Sequence, residues 1–269
     1  MADGRSCDAP DMMENPHAPT AADAGLNIPR TGLLGLSLLF LAVAALWRFT
    51  DVFLLRLGDT WINIMPSKLF PLLLMLYFFW RYSRRQIGPV LGISRTDWKP
   101  AVGFGIVVGL TMYLTIKVGA VLVYRYAIDP EYPLTLYVIE PILLGYQFLF
   151  FLINALLEET LFRGLIQNTL RNYVRPMSAI LCSAVLFSVW HICWPLINGQ
   201  LGGPELSQSV MMLVFAMLFG SLMGLYYEKF FLRISLLGPI AAHTLVNFLN
   251  ENFRVGVEPS MQGPDVIVS

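Results

Sequence analysis

Two adjacent glutamates and two distant histidines in the second half of this chain each lie in or at the end of an apolar stretch. Glu158 and Glu159 end one stretch, and His191 and His243 lie in two later ones. Asn247 follows His243 by four residues. An ionisable group in the hydrocarbon of a membrane costs at least about 2.5 kcal/mol, and such groups usually have a function. Carboxylates and imidazoles that share one apolar site could move protons or hold a metal ion.

Helical spacing gives the two glutamates different surroundings. Arg163 follows Glu159 by four residues, so the two side chains share a helix face and can form an ion pair. Glu158 points about 100° away from that pair. We therefore expect Glu158 to have no cation of its own. A carboxylate left in apolar surroundings is a better base near neutral pH.

A helical hairpin should bring His191 to the level of Glu158. The chain is expected to turn at residues 173–176, because proline cannot continue a helix and the residue before it leaves the helical region. At about 1.5 Å per residue, Glu158 and His191 both lie about 24 Å from that turn. Phe187 lies one turn below His191 on the same face.

The alternative is that these polar side chains only join helices. An interhelical hydrogen bond contributes about 0.6 kcal/mol, and this structural role is the better interpretation of Lys117, Glu140 and Asn154. His243 and Asn247 differ because they share one helix face and can present two polar groups to one point. A whole set of such groups at matching heights would be a costly way to join helices, so we favour a functional site.

Three motifs on successive apolar stretches resemble one family of membrane proteins. Residues 158–163 (EETLFR) fit the pattern EExxxR, residues 187–191 (FSVWH) fit FxxxH, and residues 243–247 (HTLVN) fit HxxxN. In this order they resemble the CPBP family, also called the Abi family, which includes CAAX proteases of the type II prenyl endopeptidase kind and bacteriocin-processing enzymes. Each motif is weak alone, and together they cover residues 143–250.

The resemblance implies an intramembrane endopeptidase of the glutamic type, a class formerly described as metalloendopeptidases. Glu158 would activate a water as general base together with His191, and His243 and Asn247 would donate hydrogen bonds to the oxyanion. The mechanism needs no cofactor. The substrate would be a peptide or a membrane-anchored protein. The residues with a supporting role would be Glu159, Arg163 and Phe187.

Other interpretations of the same residues stay open. Glu158, His191 and His243 form the His₂Glu ligand set of a catalytic zinc site, so a Zn²⁺-dependent peptidase is one alternative. The motif HExxH is absent, however, and the Asn247 amide is a poor zinc ligand. A proton-coupled transporter would also use buried Glu and His, although the sequence has no internal repeat. A non-catalytic membrane scaffold is the remaining alternative.

The apolar stretches predict an all-α, polytopic transmembrane helix bundle of seven to eight spans. A bilayer-crossing helix needs about 20 mostly apolar residues. Residues 51–65 are apolar but interrupted by charges, and we expect an interfacial helix there. The seven candidate spans are residues 31–49, 67–82, 101–126, 136–157, 177–197, 209–227 and 235–253.

Composition and charge agree with a membrane protein. Hydrophobic residues make up 56% of the 269 residues and charged residues 13%, about half the charged fraction of a soluble domain. Because 18 basic and 18 acidic residues cancel, no nucleic-acid partner is indicated and the lipid bilayer is the expected partner. The basic loops predict a cytoplasmic amino terminus, and the expected location is the cytoplasmic (inner) membrane of a bacterium.

The chain divides into three parts on composition. Residues 1–29 are polar and are expected to form a disordered tail. Residues 30–255 should form the transmembrane bundle, with the catalytic core at about 136–252. Residues 256–269 would then be a short carboxyl-terminal tail.

Overall fold

The computed structural model describes the parts of the chain that carry the predicted bundle. These are residues 30–55, 61–82, 93, 98–127, 130–131, 136–138, 141–192, 206–230 and 235–255. The two predicted tails, 1–29 and 256–269, lie outside the described residues, as does Glu140.

Helices dominate the described residues, as the hydropathy pattern predicts. Four π-helical turns continue helices without a break: Thr50–Leu55 after α1, Leu114–Val118 after α3, Thr160–Gln167 after α5 and Tyr226–Phe230 after α8. The helices are α1 (Arg30–Phe49), α2 (Trp61–Tyr82), α3 (Trp98–Tyr113), α4 (Gly119–Ala127), α5 (Leu144–Glu159), α6 (Asn168–Leu170), α7 (Pro176–Trp190), α8 (Leu206–Leu225) and α9 (Leu237–Asn252).

Three of the helical segments are long and apolar enough to cross a membrane: Leu34–Leu55, Trp98–Ala127 and Ser209–Glu228. Two shorter apolar helices cover Met65–Phe78 and Pro176–Trp190. Large apolar side chains on these helices point outward, as lipid-facing residues do. The chain is therefore an integral membrane protein, and the predicted number of seven to eight spans is not confirmed.

Two predicted boundaries are wrong. Residues 136–138, placed at the start of the fourth span, form a short strand, β1 (Leu136–Val138). It pairs antiparallel with β2 (Phe253–Val255), so the bundle is not purely α-helical. The predicted interfacial helix at residues 51–65 is also wrong, because its first part continues α1 as far as Leu55 and its last part belongs to α2. Asp51 does not end the helical segment that begins with α1, because its side chain is buried rather than exposed to water.

Close packing of α3 against α9 fixes the position of the last helix. Gly105 and Gly109 of α3 meet Gly238 and Ala242 of α9. A Cβ atom at Gly109 would lie 2.9 Å from the Ala242 carbonyl oxygen, so only glycine fits there without a shift. Small residues four apart on both helices let membrane helices approach closely. This contact sets the height of His243, the next residue after Ala242.

Aromatic packing joins the π-helical turn after α5 to α7. Phe162 is fully buried, and its ring lies edge-on to Phe187 with 5.1 Å between the ring centroids. The Ser183 hydroxyl donates a hydrogen bond to the Phe162 carbonyl oxygen at 2.9 Å. The α5–α7 hairpin is therefore held in the register that the turn at residues 173–176 predicted.

Candidate active site

The predicted ion pair between Glu159 and Arg163 is present and fully buried. Arg163 Nε lies 3.2 Å from Glu159 Oε2, and the two side chains are 1% and 0% exposed. Arg163 also donates to the Gly220 carbonyl oxygen at 3.1 Å, and its guanidinium lies 4.6 Å from the centroid of the Phe187 ring. The pair thus ties the π-helical turn to α7 and α8.

His243 lies between the two glutamates. Its Nδ1–H donates to Glu159 Oε1 at 2.7 Å, and its Nε2 lies 3.7 Å from Glu158 Oε2. The ring is buried and stacks edge-on against Phe219, with 4.8 Å between centroids. The last helix therefore brings an imidazole between the adjacent carboxylates of α5.

Glu158 is buried, but the expectation that it has no cation of its own is wrong. Lys68 Nζ lies 3.9 Å and Arg48 Nη1 lies 4.0 Å from Glu158 Oε1. The Trp190 indole N–H donates a hydrogen bond to the same oxygen at 3.1 Å. The cations come from α1 and α2, which are distant in sequence, so the local spacing around Glu158 could not reveal them.

His191 lies directly after the carboxyl end of α7. Its Nδ1–H donates to the Phe187 carbonyl oxygen at 2.8 Å, which leaves Nε2 available. The ring lies 4.6 Å from the Phe187 ring, centroid to centroid. Trp190, its neighbour, reaches Glu158, so the hairpin places His191 at the level of the glutamate as predicted.

The residues predicted for catalysis line one cavity of about 230 Å³. Asn154, interpreted from the sequence as a structural residue, also lies on its wall. The wall further includes Met212, Phe215, Val246, Asn250 and Glu251. The predicted catalytic residues that line the cavity are Glu158, His191, His243 and Asn247.

Sequence reasoning missed two charged residues of this cavity, Arg48 and Lys68. Each is 6% exposed. Lys68 lies one residue inside the predicted second span and could have been found by the same rule that identified the glutamates. Arg48 lies at the end of α1, where a basic residue usually reaches the membrane surface. Its burial can be seen only once α1 is packed against α5.

The donor atoms around Glu158 are of the types that zinc uses. Both histidines have Nδ1 bonded to an oxygen, which is common in histidine ligands of metals. Among the described residues, however, no group of three or more His, Cys, Asp or Glu side chains is arranged to hold a metal ion. Lys68 and Arg48 beside Glu158 would also repel a divalent cation. The residues present therefore do not fit a zinc site.

Residues 140–249 match the family described as type II CAAX prenyl endopeptidase, Rce1-like. The matched segment contains all three motifs and is 110 of the 269 residues. This segment is therefore similar to a family of CAAX-type proteases, and the resemblance predicted from the motifs is confirmed. The similarity supports a peptide-hydrolase activity with a peptide or protein substrate. Neither the curated proteins nor the solved structures give a match.

Proposed function

We propose that this protein is an intramembrane endopeptidase in which Glu158 activates the attacking water. The observation that supports this best is the approach of Glu158 Oε2 to His243 Nε2, 3.7 Å apart, in a cavity that His191 and Asn247 also line. A cavity of about 230 Å³ has room for water molecules beside these groups. A positioned general base contributes about 10²–10⁴-fold to a rate.

In the first step Glu158 would take a proton from the water. The resulting hydroxide attacks the carbonyl carbon of the scissile peptide bond and forms a tetrahedral intermediate. His191 has its free Nε2 on the same cavity and would share the transferred proton. When the intermediate collapses, the C–N bond breaks and this proton passes to the leaving amine.

His243 and Asn247 would stabilise the oxyanion of that intermediate. Nδ1 of His243 is held by Glu159 Oε1, so Nε2 is the ring nitrogen that can face the substrate. When substrate is bound, its Nε2–H could donate to the oxyanion while Nδ1–H stays on Glu159. One oxyanion donor is worth about 2.7–4 kcal/mol of transition-state stabilisation.

Glu159, Arg163 and Phe187 would position these groups without contacting substrate. Glu159 orients the His243 ring, and Arg163 balances the charge of Glu159. Phe187 packs between His191, His243 and the Arg163 guanidinium. These contacts hold the catalytic side chains in fixed positions, which preorganised catalysis requires.

The bundle would have about seven spans, because α1, α2, α3 with α4, α5 with α6, α7, α8 and α9 form seven helical segments among the described residues. The basic loops favour a cytoplasmic amino terminus. The substrate would be a peptide or a membrane-anchored protein. Prenylation of a carboxyl-terminal CAAX sequence is the substrate feature that the family description suggests. Bacteriocin processing is the other activity implied by the motifs.

The test is the substitution Glu158→Gln, which removes the base and keeps the shape. Amino and carboxyl termini of membrane proteins should be compared in cells that express the wild type or the variant. We expect a set of cleaved termini near membrane anchors in the wild type and their loss in Glu158→Gln. The matched control is Glu228→Gln, another buried glutamate, which pairs with Arg171 outside the cavity. Identical termini in wild type and Glu158→Gln would contradict a protease and favour the scaffold.

A second measurement separates the glutamic from the zinc-dependent mechanism. The purified wild type should keep its full activity on a farnesylated CAAX peptide after treatment with a metal chelator. Loss of activity that added Zn²⁺ restores would contradict the glutamic version and leave the peptidase itself intact.

A further inference from the structure

Two buried cations approach the proposed catalytic glutamate from helices outside the matched family segment. Arg48 belongs to α1 and Lys68 to α2, whereas the family match begins at residue 140. Both cations lie within 4.0 Å of the same carboxylate oxygen, Glu158 Oε1. The amino-terminal helices are therefore part of the site.

The two oxygens of Glu158 have different surroundings. Oε1 receives the Trp190 N–H and both cations. Oε2 faces His243 and accepts no hydrogen bond from any described residue. The two cations and the indole N–H therefore fix the position of Oε1, and Oε2 is the oxygen on the side of His243.

Polar contacts between α1 and α2 fix the positions of the two cations. The Trp47 indole N–H donates to the Ser67 carbonyl oxygen at 2.9 Å, and the Ser67 hydroxyl donates to Asp51. Trp47 and Asp51 are about one helical turn apart, so both can contact Ser67 from the same side of this helical segment. Arg48 follows Trp47 and Lys68 follows Ser67 in the chain, so these hydrogen bonds hold both cations close to Glu158. Arg48 is further held over the Trp190 ring, 5.0 Å from its centroid.

We propose that Arg48 and Lys68 are positioning residues that keep Glu158 charged and orient its Oε2 toward His243. The proposal rests on the proposed function, in which Glu158 is the base. A carboxylate that is only 2% exposed tends to lose its charge unless cations compensate it. At 3.9 and 4.0 Å these cations act through their charge rather than through ideal hydrogen bonds.

This role predicts an effect on turnover rather than on substrate binding. The two cations act through Glu158, so removing either one should lower kcat and leave KM nearly unchanged. A positioned general base contributes about 10²–10⁴-fold to a rate, and a base that loses its charge or orientation loses part of that contribution. A residue with the same charge at the same position should recover most of the loss.

The experiment compares neutral and charge-conserving variants of the full chain in detergent. Lys68→Met and Arg48→Met remove the charges, and Lys68→Arg and Arg48→Lys keep them. The probe is a fluorescence-quenched peptide that ends in a farnesylated CAAX sequence, and kcat and KM are measured separately. In cells, the activity of the same variants is measured from the cleaved termini that are present with the wild type and absent with Glu158→Gln. This cellular assay does not require a known substrate. We expect kcat to fall at least about 10-fold in the neutral variants, as part of the roughly 10²–10⁴-fold that a positioned base contributes, and to recover in the charged ones.

Arg171→Met is the control for the loss of a buried cation. Arg171 pairs with Glu228 at 3.1 Å outside the cavity, so its removal should leave kcat near the wild-type value. Thermal unfolding of every variant shows which ones are folded, and the two positions test the proposal independently.

Three results would overturn the proposal. These are full turnover in the folded neutral variants, a raised KM with an unchanged kcat, and failure of the charge-conserving variants to recover activity. The outcome for Glu158→Gln is read separately. If that variant is inactive while Lys68→Met and Arg48→Met are fully active, the proposed function stands and only the positioning role is lost. If Glu158→Gln is active, the proposed function itself is wrong.

Discussion

At the residue scale, the adjacent glutamates differ because they meet different partners. Glu159 points into protein and shares its two oxygens between Arg163 and His243. Glu158 points toward the cavity and has one oxygen without a hydrogen bond from the described residues. Neighbouring residues of a helix lie about 100° apart, so one sequence step suffices to separate a supporting carboxylate from a reactive one.

The buried pair of Glu159 and Arg163 should contribute strongly to stability. Arg163→Met removes one partner and leaves Glu159 charged in an apolar interior, which typically costs about 3–5 kcal/mol. We expect a clear drop in the thermal unfolding midpoint of the purified protein in detergent. The less buried Arg171 provides the comparison, and Arg171→Met should cost less. Equal midpoints for wild type and Arg163→Met would contradict this role.

The sequence predicted the local partners of these residues and missed the distant ones. The pair of Glu159 and Arg163 follows from helical spacing alone. Lys68 and Arg48 reach Glu158 only because α1 and α2 pack beside α5, and no local pattern encodes that contact. The expectation of an uncompensated Glu158 was wrong for this reason.

At the element scale, the helix that carries the glutamates changes from α-helix to π-helix directly after them. The π-helical turn Thr160–Gln167 follows Glu159 and contains Arg163. Such turns are rare in proteins and are frequent at functional sites. The hydropathy pattern predicted a continuous α-helix here, because hydropathy does not distinguish a π-helical turn from an α-helical one. The short ribbon of β1 and β2 was missed similarly, since apolar strand residues were counted as part of adjacent helices.

The glycine contact between α3 and α9 can be tested with a matched pair of substitutions. In Gly109→Ala, the added methyl group meets the Ala242 carbonyl oxygen at 2.9 Å, so the helices must separate or shift. Overpacking of this kind costs about 1–3 kcal/mol, and it should also lower activity because His243 moves with α9.

Gly103→Ala is the control on the same helix, where nothing lies within 4 Å of the added Cβ. An alanine in a helix interior is favoured over glycine by about 0.5–1 kcal/mol. The control should therefore be as stable as the wild type or slightly more so, with unchanged activity. Both quantities are measured by thermal unfolding and peptide cleavage. Equal behaviour of the two variants would show that the close approach of α3 and α9 does not position the site.

At the scale of the whole molecule, the site combines residues of the segment that matches the family model with residues of the amino-terminal helices outside it. All three motifs lie within residues 140–249, the segment that matches the family model. The sequence identified the first three spans only as apolar helices, because hydrophobicity is the sole requirement that lipid imposes on most of their positions. Their contribution to the site, Arg48 and Lys68, is a matter of tertiary packing.

The proposed arrangement in the membrane predicts which loops face the cytoplasm. The predicted loop between the second and third spans contains Arg84, Arg85 and Arg95, and the predicted loop at residues 198–204 has no basic residue. The positive-inside rule therefore places the first loop in the cytoplasm. Three predicted spans separate the two loops, so the second must lie on the opposite side.

Single cysteines in a chain whose Cys7, Cys182 and Cys193 are replaced by serine can report both sides. We expect a membrane-impermeant maleimide to label Gln200→Cys in intact cells, and to label Ser94→Cys only after the membrane is opened. The reversed pattern would place the amino terminus outside. Labelling of both positions from the same side would require an even number of spans between them. In that case one of the stretches 101–126, 136–157 or 177–197 would not cross the membrane. If that stretch were 136–157 or 177–197, Glu158 and His191 would not lie on a hairpin of two full spans.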